Sequence, residues 1–267
     1  MKHFAFGLIT TCFSLMLICS PLMAEGNVQA IEYELGGVTF ESQLIVGALS
    51  DETASSPAVL IIPQWMGISE HELTWGARLA ELGFTVLVAD MYGQDVNPTN
   101  RDEAAAQTKA FYADESRELF RSRANAAFLL LQAQQGVDPE RIFVIGFCFG
   151  GTGALELARS GAALAGAVSF HGRLNTTQPA QPGQVNCPVL VCHGGADPGV
   201  PWEQVTELKE ELDGAGVEFR LVVYSDAVHA FTQPGAGNDP SRGHAYNETA
   251  ARDSWQQMIR FFEDAVR

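Results

Sequence analysis

Positive charge is scarce in this chain. Among its 267 residues, 16 Lys and Arg face 32 Asp and Glu, a formal net charge of −16, which excludes broad contact with nucleic acid or an anionic membrane surface. Cysteine is sparse too: five residues are too few for a disulfide scaffold, and no Cys-x-x-Cys pair suggests thiol–disulfide exchange. No long low-complexity linker divides the chain, and no two histidines stand at compact metal-ligand spacing within one element. No cofactor or metal is called for. What is present is an ordinary globular composition, 46% hydrophobic and 18% charged, with enough chain to bury one large core and a charge balance suited to a small-molecule task.

The first residues stand apart from the rest. Met1-Lys2-His3 is a short basic start, Phe4 to Cys19 is apolar, and Ser20-Pro21-Leu22-Met23-Ala24 precedes the acidic Glu25. This is the pattern of a secretory signal cleaved after Ala24. The apolar run is short for the ~20 residues of a membrane span, which ranks an uncleaved anchor lower, and bulky Ile18 before Cys19 argues against lipidation. The expected mature protein is residues 25–267, one domain, periplasmic or secreted, with no stable membrane insertion. Cys12 and Cys19 leave with the signal. Of the remaining three, Cys187 and Cys192 bracket an extended stretch that would hold them too far apart to bond. They are expected to be buried and inert.

Apolar runs and amphipathic runs alternate along the mature chain, which predicts an α/β domain with a mostly parallel central sheet and helices on both faces. Val28–Leu35 and Val38–Leu49, joined by Gly36-Gly37, predict an opening antiparallel hairpin. Buried strands are expected at 58–62, 85–89, 142–145, 166–170, 189–192 and 218–224. Helices are expected at 69–82, where Ser69 and Glu72 have the form of a capping box, at 101–135 with a break near Ala113-Asp114, after residue 148, at 202–213 and at 245–266.

The most informative segment is Ile142 to Gly151, where a buried strand enters Gly146-Phe147-Cys148-Phe149-Gly150-Gly151 and then a helix. That is the context of a nucleophile elbow, with Cys148 where serine is more usual. The helix N-terminus beside it favours a thiolate and any oxyanion formed there. A phosphate-binding turn is the competing reading, but the spacing and the missing Lys depart from the Walker pattern. A nucleophile needs a base, and two later strand ends offer one with its orienting acid: Asp197 in His193-Gly194-Gly195-Ala196-Asp197, and His229 in the loop after residue 224. Asp226 is a rival acid, disfavoured by standing only three residues before His229.

These segments resemble the dienelactone hydrolase family, a cysteine-using branch of the α/β-hydrolases, over about residues 30–265. Gly-Phe-Cys-Phe-Gly-Gly at 146–151 is the specific element, supported by His-Gly-x-x-Asp at 193–197, His-Ala-Phe at 229–231 and the Tyr246, Trp255 and Phe261-Phe262 pattern. The resemblance implies an α/β-hydrolase fold, a Cys148–His229–Asp197 triad, and cleavage of a small ester, thioester or lactone. The oxyanion hole is expected from the backbone N–H of Phe149, with the family match placing a second donor at Trp65. Three positions depart from the family. Gln64 stands where a Glu is usual, and Gln94 and Gln233 align where dienelactone-cleaving members place arginines for the substrate carboxylate. A chain without that cationic clamp is expected to take a neutral, partly apolar substrate, in a pocket for which Trp65, Met66, Tyr92, Phe149, Trp202 and Phe231 are candidates. His171 and His193 are expected to be hydrogen-bonded structural residues, and His71 to face solvent or the helix cap. Two other functions compete with catalysis: a non-catalytic periplasmic small-molecule binder on the same fold, and a thiol redox protein.

Overall fold

Gly36 and Gly37 adopt φ of 61° and 80°, as a two-residue hairpin turn requires of both its central positions. The computed structural model, which describes residues 27–47 and 55–266, accordingly pairs β1 (Asn27–Leu35) with β2 (Val38–Val46) in antiparallel register. The expected leader, residues 1–24 with Cys12 and Cys19, and the end of the second hairpin strand toward Leu49 lie outside the described residues.

After the hairpin, strands and helices alternate: β3 (Ser56–Ile62), α1 (Glu70–Glu81), β4 (Thr85–Val88), α2 (Arg101–Ala113), α3 (Glu118–Gln132), β5 (Val137–Phe147), α4 (Phe149–Arg159), β6 (Gly166–Phe170), β7 (Val189–Gly194), α5 (Trp202–Ala215), β8 (Phe219–Tyr224) and α6 (Glu248–Ala265). The sheet order is β1-β2-β4-β3-β5-β6-β7-β8. β2 meets β4 antiparallel, and every pairing from β4 to β8 is parallel. This is the expected α/β-hydrolase arrangement. The long helical stretch breaks where the Asp114 carboxylate accepts the N–H groups of Ser116 and Leu119, a local bond that competes with helix continuation.

Strand side chains alternate between faces, so each apolar run feeds two cores. Leu60 and Ile62 of β3 pack with Val144 and the inner sides of α3, α4 and α5, while Val59 and Ile61 pack with Phe143, Ile145, α1 and α6. On the first face a buried ion network ties the helices: Arg159 of α4 pairs with Glu156 at 3.1 Å and with Glu211 of α5 at 2.8 Å, and Arg121 of α3 reaches Glu156 at 2.9 Å. The parallel strands point one way, so the turns after β3, β5, β6, β7 and β8 gather at a single edge of the sheet, where α/β folds place their sites. Among the described residues no helix is long and apolar enough to cross a membrane.

Candidate active site

Cys148 leaves β5 with φ 54° and ψ −113°, a conformation that side-chain-bearing residues rarely hold. The turn tolerates it because the neighbouring positions lack a Cβ. A Cβ on Gly146 would overlap the Gly150 carbonyl, and one on Gly150 would overlap the Ile62 carbonyl and lie 2.6 Å from the Pro63 oxygen. The strained turn presents Sγ at the C-terminal edge of the sheet.

Two other strand ends meet it there. His229 Nε2 lies 3.0 Å from Cys148 Sγ, and His229 Nδ1 lies 2.7 Å from Asp197 Oδ2. Asp197 is held in turn, because its Oδ1 accepts the Gly199 N–H at 2.8 Å. The His229 backbone is pinned by Gly243 and Ala245, whose carbonyl and N–H it meets at 3.3 and 3.0 Å. Asp226 is exposed and Nδ1 is taken by Asp197, so the acid of this constellation is Asp197.

Burial disfavours charge on both Cys148 and His229, and their mutual attraction overcomes it. The imidazolium and the Phe149 N–H draw the Cys148 thiol below its ordinary value, while the thiolate and the Asp197 carboxylate lift His229 to about 10. The signs are complementary. As pH falls the thiolate survives below the pKa of a free thiol, and as pH rises the imidazolium survives until about 10, so each charge widens the pH range over which the other persists. Iodoacetamide should therefore alkylate Cys148 with a titration midpoint below the ~8.5 of a free thiol, and His229→Asn should move that midpoint upward. An unchanged midpoint in His229→Asn would show that the imidazole does not hold the thiolate. Cys187 and Cys192 behave oppositely, with burial pushing both thiols up to about 12.

The loop after β3 is anchored by a residue known from the sequence only as a helix cap. Glu72 is fully buried. One of its carboxyl oxygens accepts the Gln64 N–H at 3.2 Å, and the other accepts the Ser69 N–H at 3.1 Å together with the Ser69 hydroxyl. Burial pushes the Glu72 carboxyl up against these bonds. Within the loop the Met66 N–H donates to Gln64 Oε1, the Gly67 N–H donates to the Gln64 carbonyl, and the Tyr92 hydroxyl donates to the Trp65 carbonyl at 2.9 Å. The Trp65 N–H is left without a protein acceptor among the described residues.

The remaining candidates divide. Phe149 and Tyr92 are buried in an aromatic cluster with Phe111 and Phe120, at ring separations of 4.9 to 5.9 Å. Trp65 and Met66 are half-buried in the loop after β3, and Trp202 is exposed, edge-on to His193 at 5.9 Å. Phe231 faces no pocket: it is fully buried between His171 and Tyr224. Gln94 is also diverted, since its amide donates to Glu32 at 2.7 Å and Glu41 at 3.2 Å on the hairpin. Gln64 and Gln233 share a cleft of about 670 Å³ with His71, Trp75, Thr232 and Trp255. His71 turns inward instead of toward solvent, packing on Phe147 at 4.6 Å, and burial brings it down to about 4. His193 Nδ1 has no partner among the described residues. His171 does, on both ring nitrogens.

A profile of the dienelactone hydrolase family matches residues 45–266. The chain belongs to that family. A Salmonella typhimurium protein provisionally named a carboxymethylenebutenolidase is 28% identical over 219 residues, 77% of this chain and 76% of its own. A Bradyrhizobium protein provisionally named a 2-oxo-3-(5-oxofuran-2-ylidene)propanoate lactonase is 27% identical over 84% of this chain and 90% of its own. Among solved structures, a dienelactone hydrolase-like promiscuous phosphotriesterase from metagenomic libraries superposes with a TM-score of 0.80 at 34% identity, covering 89% of this chain and 98% of its own. The structure named m3DLH gives 0.82 at the same identity and coverage. The family match thus runs from the end of β2 through α6 and takes in every loop that carries a site residue.

Proposed function

We propose that this chain hydrolyses a small carboxylic ester, thioester or lactone through Cys148, His229 and Asp197. The reading rests on one observation above all: an unbroken Asp197–His229–Cys148 chain at 2.7 and 3.0 Å on a strained elbow. The Cys148 thiolate attacks the carbonyl carbon, and the carbonyl electron pair moves onto oxygen. The Phe149 and Trp65 N–H groups stabilise that oxyanion. Collapse of the adduct expels the alkoxide, which takes the Nε2 proton of His229, and leaves a thioester on Sγ. A water, deprotonated by the now neutral His229, attacks the thioester and expels the thiolate, while Asp197 keeps the imidazole in register throughout. In a lactone the alkoxide stays tethered to the acyl group.

The likeness to proteins named as a carboxymethylenebutenolidase and a lactonase supports the carbonyl class of substrate. The lost arginines support a neutral one, since Gln94 is held by two carboxylates and Gln233 carries no charge. A purely binding protein has no use for a strained nucleophile with an oriented base. Mass spectrometry after mixing with activated aryl esters should find one acyl group on Cys148, formed faster from neutral esters than from carboxylate-bearing ones. Reversible binding without an adduct would favour the binding protein, and faster reaction with the carboxylates would overturn the neutral-substrate reading.

We further propose export to the periplasm or medium, on the pattern of residues 1–24. N-terminal sequencing of the protein recovered from its native compartment should begin at Glu25; a chain beginning at Met1 or Lys2 in the cytoplasm would refute this.

A further inference from the structure

The reaction as proposed gives no role to His171, a buried imidazole beside Cys148. His171 directly follows β6, 1% exposed and with a φ of 41°. Its Nδ1 lies 3.2 Å from the Cys148 N–H, and its Nε2 lies 2.8 Å from Thr232 Oγ1. A backbone N–H can only donate, so Nδ1 is the bare nitrogen of the ring. The ring proton then sits on Nε2 and is donated to the Thr232 hydroxyl. Thr232 is itself 3% exposed and belongs to the loop that carries His229. A single imidazole therefore spans from the backbone of the nucleophile to the loop of its base, with its ring 5.2 Å from that of His229 and 5.1 Å from Phe231.

Tautomer and charge are both constrained. Burial, with the neighbouring positive charge of His229, holds the basicity of His171 far down, so the ring stays neutral beside the His229 imidazolium. The Cys148 N–H is shared between His171 and the Phe170 carbonyl, the latter at 3.0 Å. A proton on Nδ1 would set two N–H groups face to face and push the Cys148 peptide away from its strained conformation.

We propose that His171, held by the Thr232 hydroxyl, is a positioning residue that fixes the register of Cys148 against His229. This rests on the reading of Cys148 as nucleophile and His229 as base. Its specific content is the hydrogen-bond chain Cys148 N–H to His171 to Thr232. Packing alone would not require the hydroxyl.

Thr232→Val keeps the shape and removes the hydroxyl, while Thr232→Ser keeps the hydroxyl. In the full-length protein, Thr232→Val should lower kcat on an aryl ester roughly ten- to a hundredfold, the scale of a misplaced reacting group, with KM little changed. The midpoint of Cys148 alkylation should move upward with it, and Thr232→Ser should retain wild-type behaviour in all three. Wild-type kinetics in Thr232→Val, or equal losses in the Val and Ser variants, would overturn the proposal. Should Thr232→Val fail to fold, nitrogen NMR of the histidine-labelled wild-type protein decides the matter: the proposal requires His171 neutral with its proton on Nε2, and a proton on Nδ1 refutes it. Failure of the hydrolase reading would appear separately, as an absent acyl adduct on Cys148 with this tautomer unchanged.

Discussion

Cys148→Ala should lower kcat for a small aryl ester by about four orders of magnitude or more, equivalent to ~5.5 kcal/mol of lost transition-state stabilisation. The effect is large because in the proposed reaction the thiolate forms the covalent bond itself, a role that neither Asp197 nor His229 replaces. Asp197 and His229 stay in place and can still orient a water, which sets the residual rate. The fold should be untouched. The substituted alanine would inherit the same positive φ, so the strain of the turn neither disappears nor grows, and the melting temperature should stay within a few degrees of wild type. Undiminished turnover in a folded Cys148→Ala protein would place the nucleophile elsewhere.

Gly150→Ala, like Gly146→Ala, should be among the most damaging single methyl additions in the described residues. The added Cβ overlaps the Ile62 carbonyl and lies 2.6 Å from the Pro63 oxygen, and both neighbours are backbone that cannot rotate aside. Relief requires α4 to move off the end of β3, which displaces Phe149 and the 63–67 loop together. A loss of ~4 kcal/mol or more of stability is expected, at the severe end for single substitutions. Gly214→Ala is the matched comparison. It lies in α5, where nothing stands within 4 Å of the new Cβ, and the higher helix propensity of alanine should stabilise by ~0.5–1 kcal/mol. Urea unfolding of the two variants tests the pair, and equal midpoints would show that the elbow has slack the geometry denies.

The order of elements and the members of the nucleophile chain are legible in the sequence for a physical reason. Buried strands such as 58–62 and 142–145 are short apolar runs bounded by polar turns, and a tight strand-to-helix turn demands glycines at 146 and 150. Such constraints act within a few residues of one another. The limits of β5 are less visible: it extends back to Val137, because Ser56 pairs with Val137 through a register shift that the polar Asp138-Pro139-Glu140 segment conceals. Side-chain partners far apart along the chain are not legible at all. Gln94 aligns with a substrate-binding position, yet the folded hairpin brings Glu32 and Glu41 to its amide. Phe231 reads as a pocket wall because it follows His229 closely, but its side chain turns into the core. His171 is expected to be structural and hydrogen-bonded, and its two partners, Cys148 and Thr232, become apparent only once three strand ends meet.

Glu72 ties the first turn of α1 to the loop after β3. Its carboxyl closes the first turn of α1 and also holds the Gln64 N–H, one residue before the donor proposed for the oxyanion. First turns fray at lower free-energy cost than a buried sheet melts. On warming, turnover should therefore fade while the circular dichroism of the strands is still intact. The upper working temperature would then be set in residues 64–72, and stabilising the central sheet further would do little to raise it.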